Sequence, residues 1–151
     1  MIQRKKVRKK IAELEEELER KKTEIAVANC RRMEREIKEA VEKERERILL
    51  NFIEIYENLQ MAYKQTDDEG IKIILNQFRE ILEKEGIREI KATGKKFDYR
   101  FHHAVSVEKS EKEEGIIIEE IKKGYMLNGK VLRPSYVIVS GSDTNVKNNR
   151  N

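Results

Sequence analysis

The sequence has one cysteine, one proline and 7 glycines in 151 residues, and it has no long apolar run. Each scarcity excludes something. Cys30 stands alone, so no disulfide can close within the chain. So little proline and glycine argues against a dominant disordered tail or linker. A helix crossing a bilayer needs about 18 or more consecutive apolar residues, and none are present. Met1–Lys6 is basic but leads into no apolar signal core, and these features together imply a cytoplasmic protein.

Charge is what the sequence has in abundance. Charged residues make up 41% of the chain, against roughly a quarter in an average soluble domain. Much of the chain must therefore be solvated helix. The 33 cationic side chains are interleaved with 29 anionic ones for a net charge of +4, so a phosphate backbone would meet a field of mixed sign over most of the surface. Only RKKVRKK, residues 4–10, is a clean basic block, and nucleic acid is not the expected partner.

Periodicity divides the chain. Val7, Ile11, Leu14, Leu18 and Ile25 keep a heptad spacing in which Lys21 occupies one site, as in the seam of a paired helix. Beyond Ile25 the step changes to fours through Asn29, Met33, Ile37 and Val41, which relaxes a left-handed supercoil. Mixed steps follow through Ile48, Phe52, Ile55, Leu59 and Ala62. No proline or glycine interrupts residues 3–66, so one helix is expected there, with a seam too narrow to be buried within a single chain. A turn at Gln65–Gly70, capped by Thr66 or Asp67, leads into a second helix carrying Ile71, Ile74, Leu75, Phe78, Ile81 and Leu82, stopped by Gly86. Its wide apolar face, with Phe52, Ile55, Leu59 and Tyr63, predicts an antiparallel hairpin, and two such hairpins would make a four-helix bundle.

After Gly86 the period is two. Ile87 and Ile90, Ala104–Glu108, Ile116–Ile121, Tyr125–Leu127, Lys130–Leu132 and Tyr136–Val139 read as short extended segments. Asn128-Gly129 is a type I′ hairpin signal, and Pro134 belongs at an edge or a bulge. The expected organisation is α+β: residues 1–86 as a long helix plus a bundle helix for dimerisation, 87–140 as a compact all-β domain, and 141–151 as a flexible tail.

No catalytic residue is assigned. His102 and His103 beside Asp98 lack a third ligand at a suitable spacing, and Cys30 is remote in sequence, so no metal or cofactor is expected. Ser106 and Ser110 lack an elbow or an oxyanion-hole signature, and Gly124 and Gly129 precede no helix.

The runs FDYRFHHAV (97–105) and GYMLNGKVLRPSYVIV (124–139) resemble the paired signature of the GrpE family of nucleotide exchange factors. CRRMEREI (30–37), ILLNFIEIYENLQMA (48–62) and LEKEGIREI (82–90) are similar to its long helix and to the junction into its β domain. The resemblance covers roughly residues 25–140. It departs at Tyr99, where the family usually has proline, at His103, where it usually has an acid, and at Lys130, where it usually has arginine.

The resemblance implies a homodimer whose β domain binds the nucleotide-binding domain of a DnaK-type chaperone, opens its cleft and releases ADP. It implies Arg31, Arg32, Gly70, Phe97, Ile121, Lys130 and Val139 as chaperone-binding residues. Leu14, Leu18, Ile25, Phe52, Ile55, Leu59 and Phe78 are the expected dimerisation residues. The alternatives are a coiled-coil scaffold, which leaves the Asn-Gly hairpin unexplained, or a basic nucleic-acid-binding dimer.

Overall fold

The computed structural model describes residues 1–141. Of the expected tail at 141–151, residues 142–151 lie outside the described residues. The fold is α+β: among the described residues, two helices are followed by six short strands. The chain divides into two units, Met1–Leu49 and a second from Leu50 onward. Helix α1 (Ile2–Thr66) is continuous, as its lack of proline and glycine requires.

The first unit is helix throughout. Its charges pair along the surface at i,i+3 and i,i+4, as in Glu17–Lys21 at 3.4 Å, Glu19–Lys22 at 3.2 Å and Arg32–Glu36 at 3.7 Å. These pairs are exposed, and each contributes only about 0.3–0.5 kcal/mol. The stripe Val7, Ile11, Leu14, Leu18 and Ile25 is exposed along the helix.

In the second unit, the last turns of α1 meet helix α2 (Glu69–Lys84) in an antiparallel hairpin. Asp67, at φ 50°, takes the left-handed conformation that ends α1, and its N–H donates to the Tyr63 carbonyl at 2.7 Å. The N-cap of α2 is Asp68, one residue after Asp67 and two after Thr66. Asp68 has extended φ/ψ, and its carboxylate accepts the Ile71 N–H at 3.0 Å. Gly86 follows the C-cap Glu85 at φ 87°, where a left-handed residue closes a helix at least cost in glycine.

The side of α1 facing the core differs from the expected one. From Leu50 onward Ile53 and Tyr56 are the buried residues of α1, and Tyr56 stacks on Phe78 at 5.9 Å between centroids. Phe52 and Ile55 stay 45% and 49% exposed, although Phe52 also touches Phe78 at 6.0 Å. The physical reason is the wide distribution of apolar residues in 48–62. Two adjacent stripes are available, and the one carrying Ile53 and Tyr56 packs inward while its neighbour remains on the surface.

The strands are β1 (Ile87–Glu89), β2 (His102–Glu108), β3 (Ile117–Lys122), β4 (Tyr125–Leu127), β5 (Lys130–Arg133) and β6 (Ser135–Ser140). They form two three-stranded sheets, β1-β4-β5 and β2-β6-β3. The first sheet is antiparallel throughout. In the second, central β6 runs parallel to β2 and antiparallel to β3. Strand β2 starts at His102, two residues before the expected Ala104, because His102 already pairs with Ser135.

The core cluster is Ala92, Ile117, Val137 and Val139, with Phe97 packed against it. Gly124 makes the close approach of β4 to β6 possible. A Cβ there would lie 2.4 Å from the Ser135 nitrogen, while the glycine N–H donates to Ser135 Oγ at 3.1 Å.

Candidate functional site

The turn between β4 and β5 is displayed by rigid backbone. Asn128 and Gly129 have φ of 48° and 84°, the two positive values that a type I′ turn requires, and Leu127 pairs with Lys130 across it. The Asn128 N–H donates to the Gly86 carbonyl at 3.0 Å, which ties the turn to the end of α2. Lys130 is exposed at the first position of β5.

A second displayed element is the loop before β2. Asp98 and His102 bond reciprocally: the Asp98 N–H donates to His102 Nδ1 at 3.0 Å, and the His102 N–H donates to the Asp98 carbonyl at 2.9 Å. The side-chain hydrogen bond from Arg100 lowers the Asp98 carboxyl to about 2, and Arg100 Nη2 stands 2.8 Å from it. Tyr99 sits on this loop with its side chain 84% exposed. His102 is only 7% exposed, between the rings of Phe97 at 6.0 Å and Phe101 at 6.3 Å. Burial pushes its pKa down, against an upward pull from Asp98 and with a further downward push from Lys95.

The remaining expected binding residues occupy varied settings. Phe97 and Val139 come together in the core, with Phe97 partly buried and Val139 7% exposed. Ile121 is 55% exposed on β3, at the residue skipped where Glu120 and Lys122 pair with consecutive positions of β6. Gly70 lies in the first turn of α2, where a Cβ would stand 2.9 Å from the capping oxygen of Asp68. Arg31 and Arg32 lie on the exposed surface of the first unit. Among the expected dimerisation residues, Leu14, Leu18 and Ile25 are exposed, and Leu59 and Phe78 are half-buried.

Sequence reasoning missed the ion pair that fastens the helical hairpin to the β strands. Arg133 pairs with Glu57 of α1, and its guanidinium donates to the Lys123 carbonyl at 2.7 and 3.0 Å. It also lies over the Tyr125 ring at 5.2 Å. Both partners fall inside stretches that carry the family resemblance, but nothing in their spacing of 76 residues says that they meet. Nearby, Lys123 Nζ reaches Glu89 at 2.5 Å, and that bond raises the lysine pKa. Among the described residues, Glu120 Oε2 and the Tyr125 hydroxyl are buried without a hydrogen-bond partner, and burial raises both pKa values.

A long charged helix, a short helix with an apolar face and two small sheets define the class: an α+β protein with a displayed Asn-Gly turn and a clamped loop. The family profile described as GrpE matches residues 2–141, and the chain belongs to the GrpE family. It is similar to Protein GrpE of Methanothermobacter thermautotrophicus, at 40% identity over 112 residues, covering 72% of this chain and 64% of that one. Protein GrpE of Caldanaerobacter subterraneus subsp. tengcongensis is 36% identical over 116 residues, 73% of this chain and 57% of its own length. Protein GrpE of Picrophilus torridus is 44% identical over 84 residues, 56% of this chain and 46% of its own. The chain thus spans about three fifths of the length of the first two relatives. No helix among the described residues is long and apolar enough to cross a membrane.

Proposed function

We propose that the chain is a nucleotide exchange factor that acts in the cytoplasm on a DnaK-type chaperone, binding its nucleotide-binding domain and promoting ADP release without making or breaking a bond. The observation that carries this reading is the family match, which runs through both helices and all six strands. The mechanism is linkage. A partner that binds the open cleft better than the closed one weakens ADP by the same factor, and each tenfold needs about 1.4 kcal/mol of differential binding.

On this reading residues 87–140 form the chaperone-facing domain and residues 1–86 the dimerisation domain. Lys130, Ile121 and the Phe97 loop make the contact. Buried Val139 supports them from the core. Arg31 and Arg32 add contacts along α1, and Gly70 serves through the tight capped turn. The fixed turn and the clamped loop support this role, since a contact that yields with the cleft cannot bias its opening.

The dimer rests on exposed apolar faces. In a parallel, in-register pair the seam of Leu14, Leu18 and Ile25 would set Lys10 against the partner's Glu15, and Glu17 against the partner's Lys22. Phe52, Ile55, Leu59 and Phe78, with Ile74 and Ile81, would close a four-helix bundle. The test is stopped-flow release of labelled ADP from the nucleotide-binding domain of a DnaK-type chaperone. Release should accelerate and saturate with added protein; an unchanged rate at every concentration would overturn the proposal.

A further inference from the structure

The reciprocal bond between Asp98 and His102 closes a five-residue ring of backbone and imidazole. His102 Nδ1 accepts the Asp98 N–H, so the ring nitrogen in that bond carries no proton, and any proton on the imidazole is on Nε2. The Asp98 carbonyl accepts both the Phe101 and the His102 N–H, and its carboxylate accepts the Arg100 N–H at 3.0 Å. The hydrogen bonds made within 98–102 therefore all pass through Asp98, and one of them needs neutral His102. The loop is anchored at both ends. The Phe97 N–H donates to Gly115, and the Phe101 carbonyl accepts the Ser135 N–H of β6.

Charged groups face the imidazole from two stretches. Lys91, Lys95 and Lys96 from the segment after β1 line the same cleft as Asp98, Phe101 and His102, and Ile90 and Met126 complete it. Arg100, facing Asp98, occupies the carboxylate that could otherwise take a proton-bearing imidazole nitrogen. A second proton on the ring would place two N–H groups face to face and add a cation beside three lysines.

We propose that neutral His102 is the positioning residue of the Phe97–Phe101 loop, holding Phe97 and Tyr99 in the geometry that meets the chaperone, and that protonation of His102 opens the clamp and weakens that contact. The inference rests on the proposed exchange function for its consequence but not for the clamp itself. Its direction follows from linkage. A histidine whose folded pKa lies below its ordinary 6.5 leaves the clamp intact above that value, and the clamp is lost as pH falls from there through the folded pKa.

Two measurements on the full chain test it, each with the parent, His102→Asn and His102→Leu. The Asn Oδ1 can take the place of Nδ1 as an acceptor that does not titrate. The first is the hydrogen-exchange protection factor of the Asp98 amide in the free protein. In the parent it should fall about tenfold between about pH 7.5 and about pH 5.5. It should be low at both pH values in His102→Leu, and partly restored and pH-independent in His102→Asn. The second is affinity for one chaperone nucleotide-binding domain, read as the ratio of variant to parent at each pH so that titration of the chaperone cancels. His102→Asn should bind more tightly than His102→Leu and should gain on the parent as pH falls. A parent protection factor that does not change with pH, or one equal to that of His102→Leu, overturns the clamp. A clamp that opens while the affinity ratios stay flat overturns its role in binding. A parent that binds no chaperone at either pH overturns the exchange function and leaves the amide result to stand on its own.

Discussion

Lys130 and Glu120 show how differently two charged side chains, one on each sheet, can be used. Lys130 is exposed beside a turn whose backbone is already fixed, so a partner can engage it with little ordering cost. Lys130→Ala should leave the melting temperature within the range of an ordinary surface change, about 0.5 kcal/mol. It should slow ADP release at subsaturating concentration by the equivalent of about 1–3 kcal/mol, whereas Lys130→Arg should match or exceed the parent. Equal release curves for parent and alanine variant would remove Lys130 from the contact. Glu120 instead holds one carboxylate oxygen in a buried position with no partner, and its pKa is raised by burial. An acid with a raised folded pKa costs stability once it is ionised, and regains it as pH falls through the folded value toward the unfolded one. Glu120→Gln should therefore raise the denaturation midpoint near pH 7 and give no advantage near pH 4. A variant less stable than the parent at pH 7 would mean that the weakened hydrogen bond with Ser135 and the lost attraction to Lys123 outweigh the relief from desolvation.

Between elements, the decisive tie is the guanidinium of Arg133, which joins α1 to β5 and to the Lys123 carbonyl just after β3. Arg133 and Glu57 are 13% and 25% exposed, so removing one leaves the other largely desolvated. Arg133→Ala should cost about 2–4 kcal/mol in denaturant titration, and Arg133→Lys should recover only part of it, since an ammonium cannot serve the carboxylate and the Lys123 carbonyl in one plane. Near-parent stability in the alanine variant would show that the pair is dispensable. Local signals made much of this architecture legible in the sequence. The unbroken helix, the glycine that closes α2 and the Asn-Gly turn each depend on residues within a few positions of one another. What escaped depends on distant partners. The inward stripe of α1 could not be chosen while two stripes competed. Residues 57 and 133 have no reason to meet until the sheets exist. In the sequence His102 figures only as a metal-ligand candidate that lacks a third partner, because only the folded Asp98 turn brings its own partner to it.

For the molecule as a whole, the apolar groups that the fold leaves on its surface are those that the proposed dimer would cover. Ile55, Ile74 and Ile81 are each about half exposed on the helical hairpin, while Ile53, Tyr56, Leu75 and Leu82 are already buried within one chain. Ile81→Asp should therefore leave the circular dichroism spectrum of the hairpin and strands in place while shifting sedimentation from dimer to monomer at micromolar concentration, since it would bury an unpaired charge at the joint. Leu59→Asp and Phe78→Asp should also split the dimer, with some loss of helix because both residues are half-buried in one chain. A parent that sediments as a monomer would end the dimer proposal. The order of strands carries one more consequence. Both β2 and β3 pair with β6, the last strand among the described residues, and not with each other. During synthesis this sheet has no centre until Ser135–Ser140 has left the ribosome, whereas the helices and the β1-β4-β5 sheet can form from residues already made. A nascent chain stalled before Ser135 would carry two orphan edges and an uncovered Ile117, which makes that interval the point in the protein's life when it most resembles an unfolded chaperone client.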